Sequence, residues 1–252
     1  MRRLAAAFLT VTMVVGCSGA GPGPGGSELA MSNLARMATT PVDAVAAADA
    51  TNAFGLALYA RAAGDDREAN VVLSPTSIAL ALAMARAGAR GDTATEMDAV
   101  LRDLASDEHA AWVAALDAAL ASRTGRFRDS AGDEQQVTLR IANAPFGQRD
   151  YPLETAYLDA LAARFAAGLR LVDYIGATEE ARRQINAWVA DRTEDRIPEL
   201  LVQGVLDQMT RLVLVNAIYL KAAWQTPFPE AATSDGDFTR LDGTRVSVPL
   251  MR

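Results

Sequence analysis

Leu212-Val213-Leu214-Val215-Asn216-Ala217-Ile218-Tyr219-Leu220 is a run in which every position but one is apolar. A strand with one face in water alternates apolar and polar residues, so an unbroken apolar run of this length points to a strand covered on both faces. It reads as a central strand, with further structure above and below the sheet. Asn216 is the exception. A buried amide without hydrogen-bond partners costs about 1–3 kcal/mol, so the structure around it must supply polar groups.

Beyond this strand, residues 238–241 and 245–248 flank Asp242-Gly243, a hairpin signal that needs positive φ at the turn. Before it, residues 169–172 make a short strand and residues 137–146 alternate as a longer one, while the polar residues 126–136 read as an exposed loop. Pro152 opens a helix to about residue 167, and Thr178-Glu179-Glu180 caps another that carries Ile185, Trp188 and Val189; Pro198 closes that region.

The first half of the chain is helical. Ser74-Pro75 places an N-cap before a proline at the first helical position, and residues 78–87 are apolar enough for a helix buried on most sides. Thr93 and Glu96 are spaced as a capping box for a helix to residue 104, and residues 109–120 continue the pattern. Residues 42–59 predict an amphipathic helix with Val45, Ala48, Phe54 and Leu58 on its apolar face. Helices followed by strands give an α+β class, with N-terminal helices packed on a large mixed sheet.

Composition narrows the function. The 252 residues carry 24 Lys+Arg against 31 Asp+Glu, a formal charge of −7, and no basic run longer than a doublet, which argues against a nucleic-acid partner. One cysteine excludes an internal disulfide, and one cysteine with one histidine excludes a structural zinc site of the usual ligands. No G-x-S-x-G elbow and no H-E-x-x-H is present, and no cofactor is implied. His109, with no nucleophile or second ligand at a suitable spacing, is expected to be solvated.

The N-terminus carries a targeting signal. Arg2 and Arg3 precede an apolar stretch over residues 4–15, too short to span a bilayer, which needs about 20 residues. It ends Val14-Val15-Gly16-Cys17, which resembles a bacterial lipobox, so residues 1–16 are expected to be cleaved and Cys17 to carry the lipid. Residues 17–41 are then the anchor and a flexible tether, since SGAGPGPGGS over residues 18–27 offers almost no side chain to bury. Gly21, Gly23 and Gly26 match G-x-G-x-x-G formally but lack the strand and helix that a dinucleotide site requires. The expected location is the cell surface or periplasmic face, otherwise outside the cell. With Lys221 the only lysine, the composition fits a GC-rich bacterial genome.

The order of motifs resembles the serpin superfamily. Asn70-Val71-Val72-Leu73-Ser74-Pro75-Thr76-Ser77-Ile78 is similar to its N-[ILV]-x-x-S-P-x-S-I segment, and Gly88-Ala89-Arg90-Gly91-Asp92-Thr93 to its G-A-[RKS]-G-x-T turn. Ile185-Asn186-Ala187-Trp188-Val189 with Thr193 and Ile197 resembles I-N-x-W-V…T…I. Leu214-Val215-Asn216-Ala217-Ile218-Tyr219-Leu220-Lys221, followed by Trp224, Pro227 and Phe228, resembles the family's central strand, and Val248-Pro249-Leu250-Met251 its V-P-M-M. The likeness covers residues 42–252, a partial serpin domain in which the C-terminal part of the fold and the reactive-centre loop are expected to be missing.

The resemblance implies an inhibitor rather than an enzyme. A serine-type or cysteine-type endopeptidase cleaves an exposed loop, which then inserts beside the central strand and traps the protease. It also implies that Ser74, Ser77 and Asn216 form the polar shutter beneath the opening strands and that Trp224 marks the breach where insertion begins. The family's shutter histidine has no counterpart, because His109 lies in the wrong part of the chain. The competing expectation is a non-inhibitory serpin-fold binding protein at the cell surface.

Overall fold

A computed structural model describes residues 28–64 and 70–251. The expected signal peptide over residues 1–16, Cys17 and the glycine-rich stretch to residue 27 lie outside these residues. The tether does not reach residue 41 as expected, because residues 28–40 lie against the domain. Here β1 (Glu28–Ala30) pairs antiparallel with β4 (Leu169–Val172), Ser32 donates to the Asp159 carboxylate at 2.5 Å, and Arg36 donates to Asp117 at 2.5 Å. These polar side chains give the segment the partners that a Gly/Pro sequence lacks.

Thr40 caps α1 (Pro41–Ala63): its hydroxyl accepts from the Asp43 N–H while the Asp43 carboxylate accepts from the Thr40 N–H at 2.8 Å, a reciprocal capping box. The buried stripe is Ala47, Ala50, Thr51 and Phe54, whereas Val45 is 63% exposed. Of the expected apolar face, Phe54 is buried and Leu58 packs against the core, so the departure is at Val45. Alanines rather than valines line the contact with α4 (Ala110–Ala121) because small side chains let two helices approach closely.

Ser74 caps α2 (Pro75–Gly88) as expected, accepting from the Ser77 N–H, and Leu80, Ala83 and Met84 are fully buried. Arg86 is buried beside them and donates twice, at 2.7 and 2.8 Å, to the Asp98 carboxylate of α3 (Gly91–Leu101). The Thr93 capping box does not form. Gly91 turns at φ 59° and starts the helix two residues ahead of Thr93, with no side-chain cap; Arg102 ends it in the left-handed region. Residues 126–136 are a hairpin rather than a loop, joining β2 (Gly125–Arg128) to β3 (Glu134–Gln148) around Asp129, whose carboxylate accepts from the Ala131 and Asp133 N–H groups and from Gln135. Both faces of this hairpin are largely in solvent, so it carries no apolar alternation.

β3 is the spine of the sheet. It runs parallel to β4 over Phe146, Gly147 and Gln148, and antiparallel to β5 (Leu212–Lys221) from Thr138 to Gly147. The strand expected to be central therefore has one strand neighbour among the described residues and lies at an edge. Its two faces are nonetheless covered over most of its length. On one side the core formed by α1 to α5 (Thr155–Phe165) holds Leu80, Met84, Leu161 and Leu169, with Ile141 and Leu214 against it. On the other, α6 (Thr178–Arg192) packs Ile185 and Val189 against Phe146, Val172 and Val215. The exposed Leu212 and Leu220 mark the ends of β5. β6 (Ser234–Thr239) and β7 (Arg245–Leu250) form the expected hairpin, with Gly243 at φ 81°. Among the described residues no helix is long and apolar enough to cross a membrane. The result is an α+β fold with helices on a large mixed sheet.

Candidate functional site

Asn216 sits in the middle of β5, and strand register sets Asn143 of β3 directly opposite it. The two amides meet: Asn216 Nδ2 donates to Asn143 Oδ1 at 2.5 Å. Asn216 Oδ1 is buried with no hydrogen-bond partner. By strand alternation both amides share the face of Leu214 and Ile141, the side on which α2 packs.

Ser74 and Ser77 lie at the first turn of α2, where the Ser74 hydroxyl donates to Ser77 Oγ at 2.9 Å and accepts from the Ser77 N–H. They bond to each other, and the hydrogen-bond partner of Asn216 is Asn143. Asn143 was not anticipated from the sequence. The signal was present, because within residues 141–146 it is the only polar side chain, as Asn216 is within its own strand.

Trp224 follows β5 and is 65% exposed, its ring meeting Phe228 edge-on at 5.7 Å. His109 is half-buried rather than solvated: it sits at the start of α4, stacks on Trp112 with 3.9 Å between ring centroids, and its Nδ1 lies 3.0 Å from Ser106 Oγ. Near that same end of β5, Tyr219 donates its hydroxyl to Glu194 at 2.7 Å, and Arg140 pairs with the same carboxylate at 3.2 Å. The Tyr219 hydroxyl and Arg140 hold the Glu194 carboxyl below its ordinary range, and Glu194 in turn raises the Tyr219 phenol.

Among the described residues no cluster of three or more His, Cys, Asp or Glu side chains could hold a metal ion. What the arrangement offers is a backbone edge. On the side away from β3, β5 carries a row of N–H and C=O groups without a strand partner among the described residues, which is a template for strand addition.

A family model described as serpin (serine protease inhibitor) matches residues 49–252. The chain is 38% identical over 189 residues to the leukocyte elastase inhibitor of Bos taurus, covering 75% of this chain and 47% of that protein. Its structure is similar to emu ovalbumin (Dromaius novaehollandiae) at a TM-score of 0.73 and 23% identity, covering 81% of this chain and 54% of the other. A serine protease inhibitor (serpin) of Manduca sexta gives 0.68 at 28% identity, with 80% and 53% covered. The chain spans about half the length of the curated relatives it matches.

Proposed function

The chain belongs to the serpin family, and from that premise we propose that the protein contributes the strand-accepting half of a protease inhibitor that works by loop insertion. The observation that carries this reading is the serpin family match over residues 49–252, within which β5 lies along β3 as the strand beside which a cleaved loop would insert. The partner is an endopeptidase of the serine or cysteine type. In this reading Asn216, with Ser74 and Ser77, belongs to the shutter that parts during insertion, and Trp224 marks the breach at the end of β5. Export and a lipid on Cys17 would hold the inhibitor at the cell surface, where it meets proteases from outside.

The test is to express the protein from its native locus and incubate it with trypsin-like, chymotrypsin-like, subtilisin-like and papain-like proteases. An SDS-resistant complex of one inhibitor with one protease is the expected product. Cleavage without any such complex would refute inhibition and leave a non-inhibitory binding protein.

A further inference from the structure

β1 fixes where the N-terminal part of the chain meets the sheet. Strand register sets Glu28 opposite Leu171, Leu171 opposite Gly147 and Gly147 opposite Leu212, so these four residues form one row across β1, β4, β3 and β5. With strands about 4.8 Å apart, Glu28 and Leu212 lie about 14 Å from each other. β1 is antiparallel to β4, so the chain enters the sheet from this end. Residues 18–27 separate Glu28 from Cys17. A glycine-rich chain of that length typically spans about 17 Å and cannot exceed about 36 Å. Lys221, at the other end of β5, is about 30 Å beyond the row.

The same end of the sheet exposes large apolar side chains. Leu212 stands in the row itself, Tyr151 and Ile175 lie four residues past it on the chains that leave β3 and β4, and Met209 lies three residues before Leu212; all are more than 40% exposed. The three exits are tied together, since the Gln148 N–H donates to the Arg211 carbonyl at 2.8 Å and the Arg149 N–H to the Val172 carbonyl at 2.7 Å. Charge at this end is not basic overall, with Arg149 and Arg211 against Asp150, Asp173 and Asp207. Asp173 accepts from the Gly176 N–H and Asp207 from the Met209 and Thr210 N–H groups, each within its own turn. Leu220 and Trp224 are exposed at the opposite end, and the point where the tether joins the sheet selects between the two.

We propose that this end of the sheet is a membrane-contact surface, where Tyr151, Ile175, Met209 and Leu212 rest in the headgroup region of the bilayer that holds Cys17. The contact presupposes the lipid proposed on Cys17 and adds an orientation to it. Tyrosine and aliphatic side chains suit that interface, which is apolar on one side and wet on the other. A contact too weak to hold a free protein suffices, because a short tether keeps the surface at an effective concentration in the millimolar range. Without net positive charge the contact does not select anionic lipid. In this orientation the Trp224 end of β5, where insertion is proposed to begin, faces away from the membrane.

The test uses the lipidated full chain in phosphatidylcholine vesicles. Flotation with the vesicles, lost in Cys17→Ser, reports the lipid whatever the orientation, and a native chain that does not float refutes lipid attachment. Because Cys17 is the only cysteine, a lipidated chain takes a maleimide fluorophore only at an introduced one: Gln208→Cys at the contact or Ala223→Cys at the opposite end. Nitroxide-labelled lipid should quench the label at position 208 at least about threefold more than the label at position 223. That ratio should fall by about twofold or more when Ile175→Ser and Met209→Ser are added, with circular dichroism showing that the fold is kept. It should hold when about a fifth of the lipid is anionic. In a chain that floats, equal quenching at the two positions, a ratio unmoved by the serine substitutions, or a ratio that appears only with anionic lipid overturns the contact and leaves the anchor standing. Energy transfer between labels at position 208 without quenching by lipid would put a second copy of the chain on this surface and overturn it as well.

Discussion

Replacing Asn143 should cost more stability than replacing Asn216, although Asn216 is the residue that the sequence marks out. In the native sheet the pair makes one amide bond and leaves one buried acceptor, Asn216 Oδ1, unsatisfied. Asn216→Leu removes that acceptor and orphans Asn143 Oδ1 in its place. The two desolvation terms are of the same kind and nearly cancel, leaving a change within about 1 kcal/mol. Asn143→Leu keeps the existing orphan and adds another, the Nδ2 donor of Asn216, for a loss of about 1–3 kcal/mol. The double variant has no orphan and should be at least as stable as the native chain, so the two substitutions couple by about 1 kcal/mol or more. Urea unfolding followed by far-ultraviolet circular dichroism measures all four proteins, with constant m-values as the check on two-state behaviour. If Asn216→Leu is the costlier single change, or if the two effects add to within about 0.3 kcal/mol, the amide pair does not operate as its geometry indicates.

Tyr157 has a buried hydroxyl without a partner, and burial pushes its phenol up to about 12, so Tyr157→Phe should leave stability unchanged or raise it by about 1 kcal/mol. The folded chain keeps that proton where the unfolded chain, titrating at about 10, has lost it, so stability falls as pH rises from 10 towards 12 and should fall less in the variant. Asp98→Ala strands the buried Arg86 guanidinium and should cost about 3 kcal/mol in urea unfolding, with Asp98→Asn costing less; a loss below about 1 kcal/mol would mean that Asp107, 3.6 Å from Arg86, takes over the charge. Cys17→Ser should move the protein from the membrane fraction to the soluble fraction of a lipoprotein-processing host, and unchanged fractionation and mobility would refute lipid attachment.

Local chemistry was legible in the sequence and long-range pairing was not. The Ser74-Pro75 start of α2, the bounds of β4 at Leu169–Val172 and the Asp242-Gly243 turn are each fixed by residues within one turn or one strand, and each appears as read. The hairpin over residues 126–136 escaped notice because its faces are polar on both sides, and the Thr93 cap was misplaced because Gly91 needed no side chain to begin the helix. At the site, Asn216 stood out as a lone amide. Its partner carried the same mark, a lone amide in an apolar stretch, but matching the two required the register between strands 73 residues apart in sequence. The length of the apolar run in β5 reported two covered faces correctly, but coverage of faces says nothing about the number of strand neighbours, of which β5 has one among the described residues.

β3 joins its neighbours β4 and β5 unequally, and this decides where the sheet is compliant. β5 is laced to β3 along its whole length, opposite Thr138 to Gly147, while β4 is held only opposite Phe146 to Gln148. Under a load that tries to widen the sheet, the short lacing yields first, so β3 and β5 travel together as one plate and the hinge line falls between β3 and β4. That line is roofed by α6, whose Ile185 and Val189 press on Phe146 and Val172 from the two sides of the seam. The helix is therefore a clasp across the joint: to shear the plates apart, it must first lift or slide.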